Sequence, residues 1–212
     1  MIVGIVGFIG SGKDTIADYL VENYEFTRDS FAGTLKDAVS VIFGWDRELV
    51  EGRTSKARNW REQVDPWWAE RLNMPNLTPR LVLQLWGTEV VRDGFHDDMW
   101  IASLENKLRK STGNVVITDC RFPNELRAIK NAGGIVVRTV RGPEPEWYNT
   151  LASMQGRATA GIKANYMKQF NIHASEWAWA GLDFDVVIEN NGTLDELYSK
   201  IKDLELDLPA SK

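Results

Sequence analysis

The sequence lacks several features of secreted and membrane proteins. Cys120 is its only cysteine, so no disulfide can form within the chain and nothing indicates an oxidising compartment. No run of about 18 apolar residues is present to span a bilayer. The apolar start, Met1–Val6, lacks a basic flank and leads directly into a glycine loop, which predicts a core strand and not a signal peptide. We therefore expect a cytoplasmic protein.

An excess of positive charge is also absent. The formal net charge is −5, with 25 Lys and Arg residues against 30 Asp and Glu residues. Broad binding to a nucleic-acid backbone needs clustered, uncompensated cations, so we expect no nucleic-acid partner. A small phosphorylated ligand is compatible with this charge, because it needs only a few well-placed cations.

Tryptophan, by contrast, is abundant. The chain has 9 tryptophans among 212 residues, and they fall within two stretches, Trp45–Trp100 and Trp147–Trp179, outside the regular α/β segments. Large aromatic side chains contribute much of the buried area in protein cores. We interpret these tryptophans mainly as residues that pack irregular segments.

Short β-branched runs alternate with helical patterns, which is typical of an α/β fold with a mostly parallel sheet and helices on both faces. The predicted strands are residues 2–6, 26–31, 115–118, 135–140 and 185–188, and the predicted helices are residues 14–23, 34–43, 80–91, 98–109, 124–131 and 193–204. We expect one domain, whose core comprises residues 1–44, 79–141 and 184–206. Residues 45–78 are predicted to be an insertion on the substrate side, and residues 142–183 a lid or a small helical subdomain.

A glycine-rich loop follows the first predicted strand. The sequence Gly7-Phe8-Ile9-Gly10-Ser11-Gly12-Lys13 fits the phosphate-loop pattern between a strand and a helix. Glycines let successive N–H groups point inward, and the helix N-terminus adds about half a positive charge toward a bound anion. Lys13 is predicted to bridge the β- and γ-phosphates of a nucleotide. The loop and the alternating elements together predict a P-loop NTPase three-layer fold.

Asp14 departs from the usual loop, in which Ser or Thr follows the lysine and binds magnesium. An anionic side chain beside phosphates is repulsive unless a divalent cation intervenes. Asp14 is therefore predicted either to help hold hydrated Mg²⁺ or only to complement the helix dipole, while Thr15 would contact a phosphate. The Gly-Lys-Asp-Thr ending favours a small-molecule kinase over a GTPase, and no Thr-Lys-x-Asp guanine-reading motif is present.

A second polar cluster, Asp119-x-Arg121-x-x-x-Glu125, follows the buried strand at residues 115–118. Ligands of doubly wound sheets bind at the carboxyl ends of the strands, so these three side chains are predicted to converge on one ligand. Arg121 suits a bidentate phosphate grip. The alternative is an arginine held in a local ion pair at a helix start. Cys120 is interpreted as a core residue.

Several separated motifs match one known family. They are Gly12-Lys13-Asp14-Thr15; Phe31 to Ala38; Arg80 to Trp100 with Gln84, Gly87-Thr88 and Phe95; Asp119-x-Arg121-x-x-x-Glu125; His173-x-Ser175-Glu176; and Ile188 to Leu197. In these segments the chain resembles the deoxynucleoside monophosphate kinases of tailed bacteriophages, members of the P-loop nucleoside monophosphate kinase group. Residues 45–78 and 143–172 show no comparable match.

The resemblance implies transfer of the γ-phosphoryl group of ATP to a deoxynucleoside monophosphate (dNMP), with Mg²⁺ as the only further cofactor. The residues it implies for catalysis are Lys13, Asp119, Arg121 and Glu125, and for ATP they are Gly10, Ser11, Gly12, Lys13, Asp14, Thr15, Asn190 and Thr193. For the dNMP they are Lys36, Arg80, Gln84, Gly87, Thr88, Trp100 and Arg121, with Asp14 at the metal. Trp100 would stack on the base or wall the pocket.

Several of these roles have structural alternatives. For Lys36 the alternative is a solvated helix lysine, and for Asn190 and Thr193 it is a plain strand-to-helix turn with a Thr cap. His173 and Glu176 are typical of either a helix start or a functional site. We also expect a cationic side chain to close over the γ-phosphate. The candidates are Arg141, Arg157, Lys163 and Lys168, and their spacing in the sequence does not show which of them does so.

Two other functions are compatible with the phosphate loop. Another small-molecule kinase, such as a dephospho-coenzyme A kinase, would share the loop and differ in the acceptor. A nucleotide-dependent switch or packaging-type ATPase would bind a macromolecular partner and hydrolyse ATP. The sequence does not decide between a monomer and a homodimer.

Overall fold

The computed structural model describes residues 1–203, and contacts divide the chain into two compact units. The sheet unit comprises Met1–Ser30 and the residues from Glu105 onward, and the helical unit is Phe31–Leu104. Residues 204–206, the end of the predicted core and of its last helix, lie outside the described residues. Within residues 1–203, no helix is both long and apolar enough to cross a membrane.

Five parallel strands form the sheet, as the alternating pattern predicts. They are β1 (Ile2–Val6), β2 (Phe26–Asp29), β3 (Asn114–Ile117), β4 (Ile135–Val140) and β5 (Val186–Glu189). Their order is β2-β3-β1-β4-β5, with every neighbouring pair parallel. The central strand β1 pairs Gly4 with Ile117 on one side and with Val136 on the other. The phosphate loop therefore leaves the middle of the sheet.

The α-helices described in residues 1–203 follow in chain order. They are α1 (Lys13–Tyr24), α2 (Gly33–Phe43), α3 (Arg47–Glu51), α4 (Ser55–Arg61), α5 (Pro66–Arg71), α6 (Pro79–Leu85), α7 (Met99–Leu108), α8 (Pro123–Asn131), α9 (Glu146–Ser153), α10 (Ala160–Met167) and α11 (Leu194–Lys202). The helix predicted at residues 34–43 ends as expected at Gly44, which has a left-handed φ of 69°.

Helices cover both faces of the sheet. Alternate residues of β1 point to opposite faces, and Ile5 lies in a core cluster with Ile16 of α1 and Leu197 of α11. On the other face, a Cβ on Gly4 would lie 3.1 Å from Ile129 of α8. This arrangement is the predicted three-layer P-loop NTPase fold.

The helical unit contains the predicted insertion at residues 45–78, which folds as α3, α4 and α5. Its core is aromatic: Phe43 stacks on Trp45 with ring centroids 4.5 Å apart and lies 4.8 Å from Trp68. The indole N–H of Trp45 donates to Asp65, and that of Trp68 donates to the Phe43 carbonyl. These tryptophans pack the segment, whereas Trp67 is 61% exposed.

The helix predicted at residues 80–91 is not uniform. It begins as α6 and continues as a π-helix, Trp86–Asp93. The carbonyl of Gly87 accepts a hydrogen bond from the Trp100 indole at 2.9 Å. This carbonyl therefore has a partner outside the backbone hydrogen bonds of its own helix. π-Helical turns occur frequently at functional sites, and this one contains the predicted substrate residues Gly87 and Thr88.

The region predicted as a lid or helical subdomain, residues 142–183, contains α9, α10 and two 3₁₀-helices, Lys168–Phe170 and Ala174–Glu176. It is tied to the phosphate loop by aromatic contacts. The Phe8 ring lies 5.7 Å from that of Trp147 and 4.8 Å from that of Trp179. Phe8 therefore anchors the start of the loop in this region.

Candidate active site

Two glycines of the phosphate loop have backbone conformations that other residues rarely adopt. Gly10 and Gly12 have φ angles of 80° and 104°, in the region that favours glycine. A Cβ on Gly12 would also lie 2.4 Å from Nδ2 of Asn190. Gly12 is the N-cap of α1, so the loop passes directly into a helix N-terminus, the arrangement that binds phosphate.

Lys13 is folded onto this loop. Its Nζ donates to the carbonyls of Gly7 and Phe8, both at 2.8 Å. Burial lowers the pKa of the Lys13 ammonium, and the nearby Arg121 lowers it further, while Asp14 and Glu176 act in the opposite direction. The amine is thus held in a partly desolvated position on the loop.

Two buried side chains brace the middle of the loop. The Ser11 carbonyl accepts from Oγ1 of Thr139 at 3.0 Å and from Nδ2 of Asn190 at 2.9 Å. Thr139 lies in β4 and Asn190 directly follows β5, so the ends of two strands position the loop. Sequence reasoning missed Thr139, although a threonine inside an otherwise apolar buried strand was an available signal.

Asn190 and Thr193, which the resemblance implies for the adenine end of ATP, have structural contacts. Asn190 is 8% exposed, and its side-chain amide donates to the Ser11 carbonyl in the phosphate loop. Thr193 is the N-cap of α11, in a capping box with Glu196. The alternative of a strand-to-helix turn with a Thr cap therefore describes their contacts, and contact with adenine stays a prediction.

Asp14 lies on the outer side of the first turn of α1. Its carboxylate accepts from Arg28 of β2 at 3.1 Å, and Arg28 also pairs with Asp18 at 3.0 Å. The Asp14 side chain is 76% exposed and accessible to solvent. Sequence reasoning missed Arg28, because no local spacing connects β2 to α1.

The Asp119 cluster stands at the carboxyl edge of the sheet. Since Ile117 is level with Gly4 of β1, Asp119 follows β3 at the height where the phosphate loop begins. Cys120 is 2% exposed, and burial raises the pKa of its thiol, which agrees with its interpretation as a core residue.

Glu125 lies at the start of α8 and contacts the backbone. Its carboxylate accepts from the backbone N–H groups of Arg121 and Phe122 at 2.7 and 3.1 Å, at the start of α8. Glu125 is 4% exposed. The helix begins at Pro123, so Glu125 reaches back to the helix start and holds the backbone of Arg121.

The carboxylate that pairs with the guanidinium of Arg121 is Glu176. Nη1 of Arg121 donates to Oε1 of Glu176 at 2.5 Å and to Oγ of Ser175 at 3.2 Å. The Arg121 side chain remains 42% exposed. The segment His173-x-Ser175-Glu176 therefore contacts the candidate site through Arg121. Spacing in the sequence alone did not decide between a helix start and a functional site for this segment.

The donor atoms of this unit suit magnesium. Mg²⁺ is commonly bound by one or two carboxylates together with substrate phosphates and water, and Asp14, in the first turn of α1, has an exposed carboxylate. Within residues 1–203, no group of three or more His, Cys, Asp or Glu side chains forms a complete metal site. The residues thus fit an ion whose remaining ligands come from a nucleotide and water.

The other predicted substrate residues belong to the helical unit, apart from Arg121. Lys36 pairs with Glu51 at 2.6 Å, and Trp100 is 7% exposed in the core of this unit. Trp100 therefore supports Gly87 and has little free ring face for stacking. Gln84 and Thr88 are exposed.

Arg61 is a candidate that sequence reasoning missed. Burial lowers the pKa of its guanidinium, and the like charge of Arg80 lowers it further. Its Nε is buried without a hydrogen-bond partner among the described residues, and a Cβ on Gly52 would lie 2.3 Å from its Cζ. Two neighbouring guanidinium groups favour an anion between them.

The candidate lid cations differ in environment. Lys163 donates to Gln155, and burial lowers the pKa of its ammonium. Arg141, Arg157 and Lys168 are exposed. Their role toward a γ-phosphate stays a prediction.

Comparison with known proteins shows relatives that span nearly the whole chain. A putative deoxynucleotide monophosphate kinase of Acanthamoeba polyphaga mimivirus is 29% identical over 216 residues, covering 95% of this chain and 94% of that protein. A deoxynucleoside-5'-monophosphate kinase of Escherichia phage T5 is 29% identical over 174 residues, covering 59% of this chain and 70% of the relative. The deoxynucleotide monophosphate kinase of Enterobacteria phage T4 is 23% identical and covers 95% and 97%.

Solved structures with a similar arrangement are more distant. A shikimate kinase from Aquifex aeolicus has a TM-score of 0.43 at 11% identity, covering 95% of this chain and 94% of its own. A dephospho-CoA kinase from Campylobacter jejuni has a TM-score of 0.38 at 15% identity, covering 96% and 94%. No family model matches the chain. The resemblance drawn from the sequence motifs is confirmed: the chain is homologous, over nearly its full length, to viral proteins named deoxynucleotide monophosphate kinase.

Proposed function

We propose that the chain is a kinase that transfers the γ-phosphoryl group of ATP to a deoxynucleoside monophosphate, giving ADP and the diphosphate. The observation that carries the proposal is the homology to viral deoxynucleotide monophosphate kinases over 95% of the chain. The phosphate loop with Lys13, and the partly exposed Arg121 in the same unit, supply the groups that this reaction needs.

The donor side is built from the loop. Backbone N–H groups at the start of α1 would hold the phosphates of ATP, and Lys13 would neutralise charge on the β- and γ-phosphates as it develops during transfer. Mg²⁺, held by Asp14 or Asp119 together with phosphate oxygens and water, would supply further charge neutralisation. The Thr139 and Asn190 brace keeps the Ser11 carbonyl fixed while this happens.

The acceptor needs no general base. The second pKa of a phosphate monoester is about 6, so the attacking oxygen of a dNMP is already ionised at neutral pH. That oxygen forms a bond to the γ-phosphorus, and the bond from the γ-phosphorus to the β–γ bridging oxygen breaks, leaving ADP. Asp119 and Glu125 therefore act through position and charge, which is consistent with Glu125 as a buried helix cap.

Acceptor binding would use Arg121, which would grip the acceptor phosphate. In the helical unit, the neighbouring Arg61 and Arg80 would suit an anionic group. Gln84 and Thr88 are exposed and would form polar contacts with the nucleoside. A cytoplasmic location is part of the proposal.

An acceptor panel tests this function. ADP formation from ATP and Mg²⁺ would be measured in parallel with dGMP, dTMP, dAMP, dCMP, GMP, dephospho-coenzyme A and no acceptor. We expect ADP formation that depends on at least one dNMP. Dependence on dephospho-coenzyme A alone would identify the rival kinase. Formation of ADP without any acceptor would identify an ATPase.

A further inference from the structure

The turn that contains Ser175 and Glu176 makes direct contact with Arg121, the residue proposed to grip the acceptor phosphate. We infer that Glu176, assisted by Ser175, is a positioning residue that fixes the Arg121 guanidinium for phosphoryl transfer. This inference rests on the proposed function and adds a residue to it. The carboxylate at 2.5 Å and the hydroxyl at 3.2 Å both engage the same nitrogen, Nη1.

The turn itself is held firmly enough to serve as a support. His173 is the N-cap of the 3₁₀-helix Ala174–Glu176, and its Nδ1 accepts from the backbone N–H of Ser175 at 3.2 Å. The same Nδ1 lies 2.9 Å from the Ser175 hydroxyl. On the other side, the buried Trp177 donates its indole N–H to the Ile172 carbonyl at 3.1 Å. Local contacts therefore fix the position of Glu176 from both directions.

The choice of nitrogen matters for phosphate binding. Within residues 1–203, the contacts of the guanidinium use only Nη1, so the edge formed by Nε and Nη2 is available. Two parallel N–H groups on one edge match two oxygens of a phosphate. The Arg121 side chain as a whole is 42% exposed. Glu176 thus sets the plane of the guanidinium and leaves its binding edge open.

Charge balance supports the same role. Arg121 and Glu176 both act on Lys13, and in opposite directions: Arg121 lowers the pKa of the ammonium and Glu176 raises it. One carboxylate therefore compensates two cations that would otherwise repel each other. Loss of this negative charge would strengthen the attraction of Lys13 for ATP phosphates, and it would release Arg121 from its fixed orientation.

These two effects give a signature that a purely structural residue would not give. Glu176→Gln keeps the shape of the side chain and removes the charge. We expect kcat/KM for the dNMP to fall by about tenfold or more, while KM for ATP stays constant or decreases. Ser175→Ala should reduce kcat/KM for the dNMP less, because it removes one neutral contact, and Glu176→Asp should restore part of the loss.

A matched control is available at the opposite edge of the sheet. Lys130 pairs with Asp185 at 3.3 Å, with side-chain exposures of 37% and 39%. Lys130→Gln breaks this ion pair of comparable exposure, far along the chain from the phosphate loop. We expect near-normal kinetics for this variant, and its melting temperature gives the effect of losing a surface pair.

The experiment that tests the inference is a kinetic double-mutant cycle between Glu176→Gln and Arg121→Lys, with melting temperatures for all variants. If Glu176 acts through Arg121, its substitution has little further effect on kcat/KM in the Arg121→Lys background. Full additivity of the two losses, or wild-type kinetics for Glu176→Gln, would overturn the inference. No dNMP phosphorylation by the wild-type chain would instead overturn the proposed function, and the inference with it.

Discussion

Arg121 is the residue on which the proposed acceptor grip depends most. Lysine keeps its charge and loses the planar fork, so Arg121→Lys separates geometry from simple electrostatics. We expect kcat/KM for the dNMP to fall by about 10²-fold, or roughly 2.7 kcal/mol, with ATP binding measured without acceptor nearly unchanged. A variant that melts early and yet phosphorylates dNMPs normally when cool would show that Arg121 is only a structural clamp.

Asp14 allows a second test of a single side chain. If it helps hold Mg²⁺, Asp14→Asn should raise the Mg²⁺ concentration needed for half-maximal rate, because an amide is a poorer ligand for a hard cation. Asp18→Asn is the matched control, since Asp18 also pairs with Arg28 but lies one turn further along α1. An unchanged Mg²⁺ dependence in Asp14→Asn would mean that Asp14 only complements the helix dipole and pairs with Arg28.

The sequence predicts which residues lie at the candidate site better than it predicts which residues they contact. Lys13 and Arg121 follow from spacing within short motifs, because a strand, a loop and a helix start place them at one edge of the sheet. The pairing of Arg121 with Glu176 spans 55 positions, and the brace from Asn190 to Ser11 spans 179. Such contacts depend on how distant segments pack, which no local pattern encodes.

At the scale of elements, the ends of β4 and β5 hold the phosphate loop through the Ser11 carbonyl. Thr139→Val keeps the side-chain volume and removes one of the two donors, at a cost of about 1 kcal/mol. We expect KM for ATP to rise severalfold and the melting temperature to fall slightly. Thr139→Ser retains the hydroxyl and should stay close to wild type. Equal kinetics for the valine and serine variants would contradict a positioning role for β4.

Helices α2 and α3 are joined by an ion-pair chain around Glu51. Burial alone would raise the pKa of Glu51, but Lys36 and Arg47 outweigh it and lower that pKa from 4.5 to about 2. Because the pKa is lower in the folded state, the stabilisation is fully present above 4.5 and is lost as the pH falls toward 2.

This linkage gives a measurable pH dependence. Glu51→Gln should lower the free energy of unfolding at neutral pH by up to about 3 kcal/mol. The gap between wild type and variant should narrow as the pH falls below 4.5, as measured by urea denaturation. A gap that does not change with pH would mean that the ion pairs around Glu51 do not stabilise the helical unit.

Element type followed from the sequence wherever periodicity was strong. The five strands and the helix after the loop are where β-branched runs and a helical pattern predict them, because helices cover both faces of the strands and one face of α1 packs on the sheet. The π-helix Trp86–Asp93 was not predictable in the same way. It depends on a contact between Gly87 and Trp100, which belongs to tertiary packing.

At the scale of the whole molecule, the phosphate loop and the homology to viral deoxynucleotide monophosphate kinases lead to the same proposal. Composition did not predict the division into a sheet unit and a helical unit. The helical unit contains the Trp-rich segment together with helices whose sequence patterns predict core elements. The apolar faces of α2, α6 and α7 pack on one another. In the sequence, the spacing of their apolar residues is the same as that of a helix that packs on a sheet.

The most direct test of the account follows the transferred group itself. Wild-type protein and Lys13→Ala would be incubated with Mg²⁺, ATP labelled at the γ-phosphate and a mixture of dNMPs, and the products separated by chromatography. The account predicts label in a deoxynucleoside diphosphate with wild-type protein, and a loss of more than about tenfold in that rate for Lys13→Ala, equivalent to over 1.4 kcal/mol of barrier stabilisation. Label found only in inorganic phosphate, or transfer that survives Lys13→Ala, would contradict it.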